Sequence, residues 1–101
     1  MKYNKLVRDK IPEYIKSKGG TPITHIAEDG EYYQKLKEKL QEEITEFLND
    51  DANIGEIADI LEVIDAICEH QKFNRDEVQS VKEKKAQERG KFEKKIILEE
   101  S

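Results

Sequence analysis

Between Glu42 and Asp59 the chain places two acidic motifs in quick succession. They are Glu42-Glu43-Ile44-Thr45-Glu46 and, nine residues later, Glu56-Ile57-Ala58-Asp59. The pairs Glu43/Glu46 and Glu56/Asp59 each have the i,i+3 spacing, which on a helix makes neighbours with Cβ atoms roughly 5–6 Å apart. Two such helices joined by a short turn bring four carboxylates towards one point. Four oxygen donors with no His or Cys among them suit a hard divalent cation, Mg²⁺ first and Mn²⁺ as a substitute. The chemistry expected of such a site is metal-dependent reaction of a phosphate-containing substrate. The same residues also have an ordinary reading. Glu is a strong helix former, 23 acids in 101 residues make i,i+3 pairs common, and Glu56 has a helix-capping role open to it.

Two long helices must position these acids. The first begins at Asp29 and carries an apolar stripe of Tyr33, Leu36, Leu40, Ile44, Phe47 and Leu48 at helical spacing. About 20 residues at 1.5 Å rise make a rod near 30 Å long. The second starts at Asn53, with Glu56 in a capping-box-like position. Its stripe is Ile57, Ile60, Leu61, Ile64, Ile67 and Cys68, widened by Ala58, Val63 and Ala66. A helix apolar over most of its circumference is buried on more than one side, and a second subunit is the expected cover. On the helical wheel Glu43, Glu46, Glu56 and Asp59 flank these stripes, where an acid reaches a cleft from a rigid backbone. Asn74 and Glu77 open a third long helix, apolar only at Val78, Val81 and Ala86 and basic in its second half; Gly90 stops it. A short helix after Asp9, with Pro12 in its first turn, ends at Gly19-Gly20. Thr21 to Ala27 and Ile96 to Leu98 are strand candidates that could pair. The fold class expected is mainly α, a helical bundle with at most a small two-stranded β patch.

Composition narrows the function classes. The 101 residues make a single domain over 1–101, and with 41% charged and 36% hydrophobic residues its own core is thin. A net charge of −5 argues against a nucleic-acid polymer as partner. One cysteine, Cys68, allows no internal disulfide. No apolar run approaches the roughly 20 residues of a membrane span, and the amino terminus lacks a signal-peptide pattern. A cytoplasmic protein is expected. Cys68 reads as core. His25 and His70 lack metal-ligand spacing and read as surface or packing residues.

The two acidic motifs resemble the Glu-Glu-x-x-Glu and Glu-x-x-Asp pattern of the all-α nucleotide pyrophosphohydrolase superfamily, the MazG-like and phosphoribosyl-ATP pyrophosphohydrolase-like proteins. Lys85 and Arg89 match that family's Lys-x-x-x-Arg pair. The opening Tyr3-Asn4-Lys5-Leu6-Val7-Arg8-Asp9-Lys10-Ile11-Pro12 and the later Arg89-Gly90-Lys91-Phe92 resemble a small MazG-like subgroup. The likeness extends over nearly the whole chain. Its departure is the nine-residue gap between the acidic motifs, shorter than in many relatives and implying a tight turn.

The resemblance implies an all-alpha NTP pyrophosphatase-type bundle completed by oligomerisation, as a homodimer or homotetramer. It implies Mg²⁺-dependent cleavage between the α- and β-phosphates of a nucleoside triphosphate, giving a monophosphate and pyrophosphate in nucleotide-pool house-cleaning. Glu43, Glu46, Glu56 and Asp59 would then be the metal ligands, and Glu42 or Glu46 the acceptor of a proton from the attacking water. Lys85 and Arg89 would hold the outgoing pyrophosphate. Lys5, Arg8 and Lys10 are further phosphate candidates, and Asn4 a candidate for base or sugar. Three alternatives stand beside this one: a phosphoribosyl-ATP pyrophosphohydrolase, a nucleotide-binding module without turnover, and a helical protein-interaction module.

Overall fold

The computed structural model describes residues 4–51 and 53–101; Tyr3, the first residue of the amino-terminal motif, lies outside them. Four helices follow one another: α1 (Ile11–Ser17), α2 (Asp29–Asn49), α3 (Ile54–His70) and α4 (Arg75–Arg89). The mainly helical expectation holds.

Helix α2 begins at Asp29 as the stripe predicts, and α3 follows after a loop of only residues 50–53. A connection that short folds two helices into an antiparallel hairpin. The packing of α2 on α3 is the only extensive contact between elements among the described residues. Among the described residues Leu36 is the one side chain sealed from water, joined in the core by Val63 and Cys68. Cys68 is thus a core residue. His70 is a packing residue, stacked on Tyr33 with centroids 5.4 Å apart and met edge-on by Tyr32 at 5.3 Å.

The helix ends follow local chemistry. The Asn53 side chain accepts the Gly55 N–H at 2.7 Å, and Asn74 accepts those of Asp76 and Glu77 at 2.8 and 3.3 Å. Both are N-caps. The box is not completed at α3: Glu56 Oε2 has no hydrogen-bond partner. Helix α1 is not capped by Asp9. Its N-cap is Lys10, which makes no side-chain bond, although Pro12 does sit in the first turn. It closes as expected at Gly19, whose φ is +87°. Gly20 N–H bonds the Ile15 carbonyl at 2.9 Å and Gly19 N–H that of Lys16 at 3.0 Å, a Schellman closure. A Cβ on Gly20 would come within 2.6 Å of the Ile15 side chain.

The two strand candidates do not form. Neither Thr21–Ala27 nor Ile96–Leu98 has strand structure, and Ile23, Ile26, Ile96, Ile97 and Leu98 are exposed. A two-stranded pair without a surface to cover is marginal in water. Pro22 also removes a donor from the first segment.

One chain leaves much apolar surface uncovered. Its Cα radius of gyration is 17.9 Å, against about 13 Å for a compact chain of 100 residues. Helix α4 contains no buried residue. On α3, Ile54, Ile57 and Leu61 are exposed on one face, so a single chain covers this helix on one side only. Among the described residues no helix is long and apolar enough to cross a membrane.

Candidate metal centre

The tight turn sets the acids. Glu43 and Glu46 lie in the last two turns of α2 and Glu56 in the first turn of α3, so the hairpin brings them to the same end. One carboxylate oxygen from each lies within 4.8 Å of the other two. Oxygens held at about 2.1 Å from one Mg²⁺ are at most about 4.2 Å apart. Closing the group onto an ion would require the three oxygens to draw closer together.

Burial makes this more than a cluster of surface acids. Glu43 is 6% exposed, the only polar residue buried among the described residues. Its Oε2 and Glu56 Oε2 are both buried and without a hydrogen-bond partner. A buried polar group left unsatisfied costs about 1–3 kcal/mol, more when charged. Burial first, and then the Glu46 and Asp59 charges, push the Glu43 carboxyl above its ordinary range; Lys39 opposes them. A divalent cation would reverse all of these penalties together, and oxygen-only donors are the set a hard cation takes. The residues present fit such an ion.

Asp59, the fourth expected ligand, is not in this group of three. It is half-buried and accepts from Arg8 at 2.8 Å. Glu42, one of the two expected proton acceptors, is bound on both oxygens, by Lys5 at 3.1 Å and Lys39 at 3.5 Å. Burial alone would raise its pKa, but the hydrogen bond and charge of Lys5, together with those of Lys39, outweigh it and hold the carboxyl below the ordinary value. Glu46, the other candidate acceptor, is exposed and within the cluster.

The basic candidates divide. Residues 4–8 lie against the hairpin: the Asn4 carbonyl accepts from Lys35 at 2.7 Å, Lys5 reaches Glu42 and Arg8 reaches Asp59. Lys10 is an exposed residue at the start of α1. Lys85 and Arg89 are exposed on α4 and, among the described residues, make no ion pair with the acids. Lys35 and Lys39 were not expected. Lys39 bridges Glu42 and Glu43, the latter at 3.4 Å. The signal was there in the spacing: Lys35, Lys39 and Glu43 form one i,i+4 row along α2, but lysine on a helix ordinarily reads as solvated surface.

No family model and no solved structure matches the chain. A segment of 41 residues is 49% identical to a protein of Mycolicibacterium smegmatis whose description is "uncharacterized protein". The match spans 41% of this chain and 42% of that relative, so the chain covers under half of the length of the relative it matches.

Proposed function

We propose that this protein is a Mg²⁺-dependent nucleoside triphosphate pyrophosphohydrolase, active with Mn²⁺ in its place, that cleaves the α–β phosphoanhydride in nucleotide-pool house-cleaning. The observation that carries the reading is the pair of buried, unpartnered oxygens, Glu43 Oε2 and Glu56 Oε2, within a three-carboxylate cluster. The resemblance of both acidic motifs to the pyrophosphohydrolase pattern supplies the reaction class.

Glu43, Glu46 and Glu56 would hold the metal. When bound, the metal supplies a Lewis acid for the phosphoryl oxygens and offsets the repulsion between an acidic site and an anionic substrate. Glu42, with ammonium groups on both oxygens, is a weakened base, which leaves Glu46 to accept the proton of the attacking water. Arg8 neutralises Asp59 until a phosphate competes for its guanidinium, and Asp59 is then available as a fourth ligand. The working unit is a homodimer or homotetramer. The exposed Ile54, Ile57 and Leu61 face of α3 supports this, and Lys85 and Arg89 would reach a phosphate only across such an assembly. That same face also supports the second reading, a helical protein-interaction module.

Pyrophosphate release from a panel of canonical, damaged and deoxynucleotides, measured with Mg²⁺ and with chelator, tests the proposal. Release that needs metal and is lost in a folded Glu43→Gln variant is the expected result. No release from any nucleotide, together with metal-independent capture of a protein partner, would establish the interaction module instead.

A further inference from the structure

Next to the three acids, towards the amino end of α2, is a cleft of about 190 Å³ whose walls include Asn4, Lys5, Lys35, Glu38, Lys39 and Glu42. It is smaller than the roughly 300–1,000 Å³ of a pocket for a drug-sized ligand, a size that suits one part of a nucleotide. Lys39 forms the wall shared with the metal centre, since its Nζ lies 3.5 Å from Glu42 and 3.4 Å from Glu43.

Three ammonium groups meet two carboxylates here. The side chains of Lys39 and Lys35 are only 19% and 26% exposed, unusual for a residue that normally keeps its head in water. Lys35 is fixed by the Asn4 carbonyl at 2.7 Å and by Glu38 at 3.4 Å, and Lys5 by Glu42 at 3.1 Å. Their stems are packed and their charges aimed before any ligand arrives. The cleft therefore offers a pre-positioned set of ammonium donors in contact with an acidic metal centre. A chain of phosphates has the matching pattern: one part bridged by the cation, the remainder bearing charge that needs ammonium donors.

We propose that this cleft is the subsite for the terminal phosphates of the substrate and for the pyrophosphate product, with Lys5, Lys35 and Lys39 as its cationic groups. The inference rests on the metal reading of the adjoining acids. It moves the pyrophosphate clamp of a single chain from Lys85 and Arg89 on α4 to α2 and the amino-terminal segment.

The test uses the full chain, with inorganic pyrophosphate, orthophosphate and a nucleoside monophosphate as probes in calorimetry, and Mn²⁺ binding followed separately by electron paramagnetic resonance. Lys35→Gln should weaken pyrophosphate about tenfold, the loss expected for one charge-assisted hydrogen bond. It should leave Mn²⁺ and monophosphate affinity within about twofold, and Lys35→Arg should restore pyrophosphate binding. Lys94→Gln, on the exposed carboxy-terminal segment, should change none of these. Unchanged pyrophosphate affinity in both Lys35→Gln and Lys39→Gln overturns the subsite. So does an equal loss for the monophosphate, or orthophosphate binding as tight as pyrophosphate. Should the wild-type chain bind no Mn²⁺, the metal reading falls on its own. The cleft is then decided by metal-free pyrophosphate binding: retained and lost in Lys35→Gln it stands, absent it does not.

Discussion

Helices α3 and α4 both begin on an asparagine whose side chain accepts backbone N–H groups, and both are close in length. Yet α3 buries Val63 and Cys68 in the hairpin core while α4 buries nothing. The acids of α3 and its partner α2 meet at one end of their interface. Of the cations of α4, Arg75 at its first turn reaches Asp65 of α3 at 3.2 Å, while Lys85 and Arg89 in its last turns make no ion pair with the α2–α3 acids among the described residues. The difference lies in the apolar stripe: continuous in α3, reduced in α4 to the half-exposed Val78 and Val81. A cap starts a helix, but only a stripe places it against another element. The carboxylates gather where the stripe fixes the backbone.

The sharpest way to break this comparison is to strike each region at its best-placed residue. Glu43→Gln should reduce turnover at least about 100-fold, the scale on which preorganised electrostatic groups act, whereas Arg89→Gln measured below the assembly concentration should have a far smaller effect. Steady-state pyrophosphate release reads both. Equal losses would mean that α4 contributes to the site within one chain. Core truncation divides the regions in the same way. Leu36→Ala should cost about 2–5 kcal/mol, and Val81→Ala no more than about 0.5 kcal/mol in the monomer, by urea unfolding of dilute protein. If Val81→Ala becomes costly as concentration rises, α4 is being buried by a second copy.

Glu43 also gives the hairpin a pH signature. Its folded pKa is raised, so between the ordinary value of 4.5 and the folded value the native state holds more protons than the unfolded chain. In chelator, its contribution to stability is greatest below 4.5 and falls as pH rises through the folded value. Glu42 acts oppositely. Its folded pKa is lowered, so its contribution is present above 4.5 and is lost as pH falls through the folded value. Thermal midpoints from pH 3 to 7, as differences between wild type and Glu43→Gln or Glu42→Gln, should slope in opposite directions. At pH 7 in chelator Glu43→Gln should be the more stable protein, by roughly 1 kcal/mol or about 4–8 °C. Saturating Mn²⁺ should reverse that order. An unchanged order would show that the three acids hold no ion.

What the sequence made legible follows the same division. The start of α2, the tight α2–α3 turn and the core position of Cys68 were readable because helical spacing and caps are local signals. The convergence of Glu43, Glu46 and Glu56 followed from the short turn. Three features were not readable. Strand propensity at Thr21–Ala27 and Ile96–Leu98 says nothing of whether a pairing surface exists. Asp59 pairs with Arg8, fifty-one positions away in the chain, and Lys35 and Lys39 line a cleft together with residues 4–6. Contacts from an irregular segment leave no period to find.

The two asparagine caps offer the finest test of the comparison. Each replaced by alanine removes an acceptor from the first turn, at about 1 kcal/mol. In α4 that loss should stay local. Asn74→Ala should lower helical circular dichroism by part of one helix while the urea midpoint of the hairpin and Mn²⁺ affinity hold steady. In α3 the same loss falls on the turn that carries Glu56, three residues beyond the cap. Fraying there releases a carboxylate whose Oε2 is held buried and unpartnered. Asn53→Ala should therefore weaken Mn²⁺ binding by about fivefold, because roughly 1 kcal/mol of ordering must be recovered from the ion. Equal Mn²⁺ affinities in the two variants would mean that Glu56 does not depend on the first turn of α3 for its place, and the link between hairpin rigidity and the metal centre would be lost.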